Sequence, residues 1–161
     1  MKLKTTKSIW QAIGLGIIAG MRTSSAPLVV SEMLSRHPSN EISKSPLKFV
    51  QSGTFSVLSK VLAAGEMVAD KLPATPDRIK AGGLIARCLS GSLAGACVFK
   101  ANGSNAAQGA LLGFLTAGVA TFGSYLLRKK IVSTAQVDDR WIGVAEDVLV
   151  SATGTALIKY S

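Results

Sequence analysis

Seven ionisable residues interrupt segments that are otherwise apolar: Arg22, Lys60, Glu66, Asp70, Arg87, Glu146 and Asp147. A charge inside a bilayer costs about 3 kcal/mol or more, so such residues usually face a bundle interior or a cavity and are usually paired. A carboxylate held there can bind a cation or carry a proton, and a guanidinium can serve as its counter-ion or touch a solute. Glu66 and Asp70 are four residues apart, differ by about 40° around a helix, and share a face. Glu146 and Asp147 spread over about 100°, so one can point inward while the other pairs elsewhere.

Counting about 1.5 Å per residue from the charged end of each segment gives depths for three of these groups. Glu66 falls roughly 8 Å inside the Lys71 end, Arg87 roughly 10 Å inside the Lys80 end, and Glu146 roughly 9 Å inside the Arg140 end. Three segments therefore deliver a carboxylate, a guanidinium and a carboxylate to one level. Arg22, roughly 20 Å from Ser8, is placed at the next level outward, as a second gate or solute contact. Gly83, Arg87, Gly91 and Gly95 recur every four residues, so the guanidinium emerges from a ridge of glycines.

Other chemistries find no support. His37 is the one histidine and lies in a polar, proline-containing connection, and no segment carries the Glu-x-x-His pattern of a di-metal bundle. Catalytic triads, phosphate-cradling loops and CxxC motifs do not occur, so neither an enzyme nor a cofactor is expected. The net charge of +9 lacks the exposed aromatics or basic stripe of a nucleic-acid surface, since aromatics are only 6%.

The elements that must position these charges read as membrane helices. Charged residues are 17% of the 161, against about 25% in typical soluble domains. Residues 101 to 127 form a run of 27 without a single charge, and roughly 20 apolar residues suffice to cross a bilayer. We expect an all-α, polytopic bundle of about five transmembrane helices in one domain, over about 8–34, 47–72, 79–100, 106–128 and 140–159. The first is expected to bend or break near Pro27, where Ser24 and Ser25 can satisfy freed carbonyls. The second is expected to falter at Ser52-Gly53. Arg22 and Pro27 argue against cleavage of the first segment as a signal peptide. Cys88 and Cys97, nine residues apart, fall on opposite helix faces and cannot pair with each other. Gly91-x-x-x-Gly95 and Gly109-x-x-x-Gly113 predict close packing of the third and fourth helices.

Five crossings would put ten lysines and arginines on the side of the N-terminus and five on the other. That bias places the N-terminus in the cytoplasm. A weak internal repeat is also visible, Arg22-Thr23-Ser24-Ser25-Ala26 against Arg87-Cys88-Leu89-Ser90-Gly91.

Glu66 with Ala69-Asp70-Lys71-Leu72-Pro73, Arg87 ahead of a small-residue helix, and Ala145-Glu146-Asp147 resemble an uncharacterised family of small bacterial integral membrane proteins. The likeness runs over about residues 60 to 161 and loosely over the first helix. The chain differs from that family's pattern at Cys88, where proline often follows the arginine, and at Ala74-Thr75-Pro76 in the turn. The resemblance implies a multi-helix inner-membrane protein and no particular activity. The residues point to a small transporter or channel-like protein, as a homo-oligomer in the lipid bilayer, moving a small solute or ion. Glu66 and Glu146 would be binding or coupling carboxylates and Arg87 their counter-ion, with Asp70, Asp147 and Arg22 nearby. A scaffold whose buried charges merely tie helices together is the alternative.

Overall fold

A computed structural model describes residues 2–69, 81–135 and 139–160, and these contain helices and turns but no strand. The helices are α1 (Lys2–Met21), α2 (Ser25–Arg36), α3 (Asn40–Ser43), α4 (Gly53–Ala69), α5 (Ala81–Ala101), α6 (Ala106–Ala135) and α7 (Asp139–Lys159). A 3-10 segment, Pro46–Gln51, precedes α4. Stretches within α5, α6 and α7 are long and apolar enough to cross a membrane. Three apolar helices mark a membrane protein.

The segment expected as one helix over 8–34 is two. α1 stops at Met21 and α2 starts at Ser25. Pro27 does not kink a continuous helix; it is the third residue of α2. In the first turn a missing N–H removes no intrahelical bond. The connection over 35–46 carries its own short helix, α3. The interruption at Ser52-Gly53 is present, with Ser52 between the 3-10 segment and α4 and accepting from Phe55 N at 3.2 Å through its hydroxyl. α6 runs seven residues past its expected end at Arg128. Arg128, Lys129 and Lys130 are good helix formers, and nothing before Ala135 compels a stop.

Between α5 and α6 the chain turns in four residues. Ser104 N donates to Phe99 O at 2.8 Å and Gly103 N to Lys100 O at 3.0 Å, the pairing that closes a helix through a left-handed residue. Gly103 is that residue, at φ 73°. Asn105 then caps α6, its side-chain oxygen accepting from Ala107 N at 2.9 Å.

α1, α5 and α6 form the tightly packed centre. A Cβ added to Gly91 would lie 2.5 Å from Gly113 O, and one added to Gly20 would lie 2.6 Å from Ala117 O. No side chain fits at either distance, so the backbones of α5 and α1 touch α6 directly, as the paired glycine motifs predict for α5 and α6. Leu15, Ile18, Ala94, Cys97 and Ala117 are buried in this centre. Cys88 and Cys97 are both buried and free. α2 continues the bundle beyond the end of α1 and is flanked by α4, α5 and α7. α4 packs on α2 and the 3-10 segment, without comparable contact to any other long helix among the described residues. α7 lies against α1 and α2 and only lightly against α6.

Candidate functional site

The site grows from the three residues that belong to no helix, Arg22, Thr23 and Ser24. The chain leaves α1 with Arg22 N still bonded to Ile18 O at 2.8 Å, and α2 picks up with Leu28 N on Ser24 O at 3.3 Å. Between them the amides of Thr23 and Ser24 have lost the carbonyls a continuous helix would supply. Ser24, the N-cap of α2, makes no side-chain cap of its own. A backbone donor stranded in a membrane interior costs several kcal/mol, so something must accept from it.

Glu66 does so. Its Oε1 accepts from Thr23 N at 2.9 Å and its Oε2 from Ser24 N at 2.7 Å. One carboxylate from α4 thus caps α2 from outside, and its negative charge meets the positive end of that helix's dipole. Charge-assisted bonds of this type contribute about 1.5–3 kcal/mol each.

Every other long helix also holds the break. Ser90 of α5 donates to Thr23 O at 2.5 Å. Thr121 of α6 donates to Gly20 O at 3.1 Å and also to Ala117 O at 2.8 Å. Arg22 turns its buried guanidinium to Asp147 of α7, with both Nε and Nη2 on Oδ1. The side chain of Arg22 is 5% exposed and that of Asp147 23%. One level away, Arg128 of α6 lies 3.8 Å from Glu146 of α7.

The structure gives the sequence-derived residues partners beyond the expected triad. Glu66 meets the backbone of Thr23 and Ser24, and Glu146 meets Arg128. Arg87 is buried within α5, one turn before the Ser90 that reaches the break. Asp70 lies outside the described residues. Arg22 corrects the depth count, because it sits at the level of Glu66 and Asp147 rather than outward of them. Counting from charged ends assumes that all helix ends share one plane. The two arginine motifs differ as well: the chain breaks at Arg22, whereas α5 runs unbroken through Arg87.

Sequence reasoning missed three partners. Arg128 opens a basic cluster at the end of an apolar run, which by pattern alone marks a span's edge rather than a partner for Glu146. Ser90 and Thr121 are ordinary helix residues whose role depends on which carbonyl lies opposite. The nearest signal for them was Pro27 with two serines, which announced a break without naming its partners.

From Asp147 a shallow groove of about 550 Å³ runs outward along α7, passing Ser151 and Thr155.

A family model for a domain of unknown function (DUF4126) matches residues 9–160. The chain belongs to the DUF4126 family. That match spans the broken α1–α2 helix as well as the region from Glu66 onward, so the break and all its described partners fall inside the DUF4126 domain. No curated protein and no solved structure matches the chain.

Proposed function

We propose that this DUF4126 protein is a small transporter or channel-like protein of a bacterial inner membrane, with about five crossings and a proton- or cation-linked path at the helix break. One observation carries the reading: a carboxylate on a peripheral helix is the cap of a broken central one. Irregular backbone at membrane depth is tolerated where it is buried in protein or lines a cavity, and transporters place half-helix ends at their binding sites. α4 packs on α2 and the 3-10 segment and is joined to the latter at Ser52, so among the described residues Glu66 belongs to the long helix with the fewest packing partners.

In this mechanism a proton on Glu66 removes the charge that matches the α2 dipole and turns one acceptor oxygen into a donor facing an amide N–H. The carboxyl then leaves, and the Thr23 and Ser24 amides become accessible to water or solute beside the Arg22–Asp147 pair. Arg128 offsets one of the acids, which leaves less negative charge to hold a cation and favours the proton as the coupling ion. Glu66 is the coupling carboxylate, Asp147 with Arg22 the fixed wall, and Glu146 with Arg128 and Arg87 the flanking level. Asp70, close by in sequence, would extend the acidic path toward the solvated turn. The groove from Asp147 past Ser151 and Thr155 is shallow and mostly apolar, and a second copy would cover it, which favours a homo-oligomer. The bias of basic residues favours a cytoplasmic N-terminus.

The test is proton flux into vesicles containing the purified protein, driven by a potassium diffusion potential. Glu66→Gln keeps shape but presents an amide donor to a backbone donor and cannot titrate. The expected result is loss of flux in a variant that still elutes as a folded species. Flux equal to wild type in folded Glu66→Gln overturns the proposal.

The scaffold reading is favoured by a different observation: the contacts at the break also tie α4, α5, α6 and α7 together. It requires no flux in the wild type. It also requires Arg22→Leu with Asp147→Leu to recover the stability that either change alone removes.

A further inference from the structure

At the end of the bundle away from the chain's start, the stretch from Lys44 into the 3-10 segment, the adjoining ends of α5 and α6 and the turn between them line a second, open hollow of about 680 Å³. Its two halves differ in chemistry. Lys44, Lys100 and Ser104 line the outer half, and Leu47, Ala96 and Ala110 line the inner one. Ala96 and Ala110 lie four helical residues inward of Lys100 and Ala106, which is about 6 Å toward the bilayer centre. The inner half exists because the glycines of α5 and α6 bring the two backbones together and the flanking alanines carry nothing beyond Cβ. In a membrane such a slot is filled by methylenes.

The outer half is cationic. Over residues 39–51 and 100–107 there are three lysines, Lys44, Lys48 and Lys100, against one acid, Glu41. Lys44, Lys48 and Glu41 are exposed and Lys100 half-buried at the mouth. The turn itself is rigid, closed by Gly103 and the Asn105 cap, so the two halves keep a fixed spacing.

The geometry points to a binding site for an anionic phospholipid, its phosphate between Lys44 and Lys100 and an acyl chain over Ala96 and Ala110 against Leu47. A soluble phosphate would use only the outer half and a zwitterionic lipid would gain little from the two cations, so charge and shape together select an anionic lipid. The site is remote from the helix break and does not depend on the transport reading.

The full-length protein in phosphatidylcholine vesicles, probed with spin-labelled phosphatidylglycerol or spin-labelled phosphatidylcholine, tests this through the motionally restricted lipid fraction. Each lysine near a lipid headgroup favours an anion by about fivefold. Wild type should therefore prefer phosphatidylglycerol by fivefold or more, and Lys44→Gln with Lys100→Gln should bring the ratio close to one. Lys129→Gln with Lys130→Gln, at the other end of α6, should leave it unchanged. If the first double variant does not insert, Ala110→Trp, which fills the slot, should reduce restricted phosphatidylglycerol instead. Equal association of the two lipids with wild type overturns the site. So does an equal loss of preference in the Lys129/Lys130 variant, which would report only general surface charge. Full displacement of the label by inorganic phosphate would also overturn it, in favour of a soluble-anion site.

Discussion

The centre of the bundle and its periphery are held by opposite means. In α1, α5 and α6, small residues bring backbones into contact, and cohesion comes from dispersion over a large close-packed surface. α4 and α7 keep apolar faces outward, with Val57, Leu58, Val61 and Leu62 on one and Val144, Val148 and Leu149 on the other all exposed. A few apolar side chains, such as Phe55 of α4 and Val150 and Leu157 of α7, pack on the core, and polar contacts add to them: Glu66 on the break, Lys60 at 3.5 Å from Glu32, Asp147 with Arg22, and Glu146 near Arg128. Dispersion contacts have no titratable switch. Polar ties are few, directional and sensitive to a proton. A protein that must hold one part still while another moves would be built this way.

The largest way to break that contrast is at the Arg22–Asp147 pair. Arg22→Leu leaves the half-buried Asp147 carboxylate without its partner, and we expect a loss of about 3 kcal/mol. Adding Asp147→Leu should return most of it. Thermal unfolding in detergent reads both, and a double variant no better than the single would show that the pair does not act as a unit. The centre is attacked next at Gly91, where Gly91→Ala puts a Cβ 2.5 Å from Gly113 O. Overpacking there should cost about 1–3 kcal/mol.

On α4 the same substitution should have the opposite sign. Among the described residues nothing lies within 4 Å of a Cβ added to Gly65, so Gly65→Ala should stabilise by about 0.5–1 kcal/mol through helix propensity. If Gly65→Ala and Gly91→Ala shift the melting temperature alike, the contrast between centre and periphery fails. The smallest effect belongs to Lys60 and Glu32, whose side chains are 58% and 25% exposed. Lys60→Met should change stability by less than about 1 kcal/mol. A larger loss would mean that α4 is held near its middle rather than at Glu66.

Much of the architecture was legible from local pattern. Gly91, Gly95, Gly109 and Gly113 announced the α5–α6 contact because a close backbone approach tolerates little else. Pro27 and its serines announced a break. The end of α6 was less legible, because a basic cluster at a bilayer edge does not stop a helix and only the fold showed Arg128 beside Glu146.

By itself, then, the sequence determined that this is a helical membrane protein, which helices pack backbone to backbone, and which charges are out of place in lipid. These follow from composition and from spacing along one helix. Only the tertiary structure decided the partners. It gave Glu66 to the Thr23 and Ser24 amides and Asp147 to Arg22. The reason is physical: a stranded amide, unlike a buried charge, leaves no mark in the sequence. It exists only once α1 has stopped and α2 has begun, and what can satisfy it depends on which helix lies alongside.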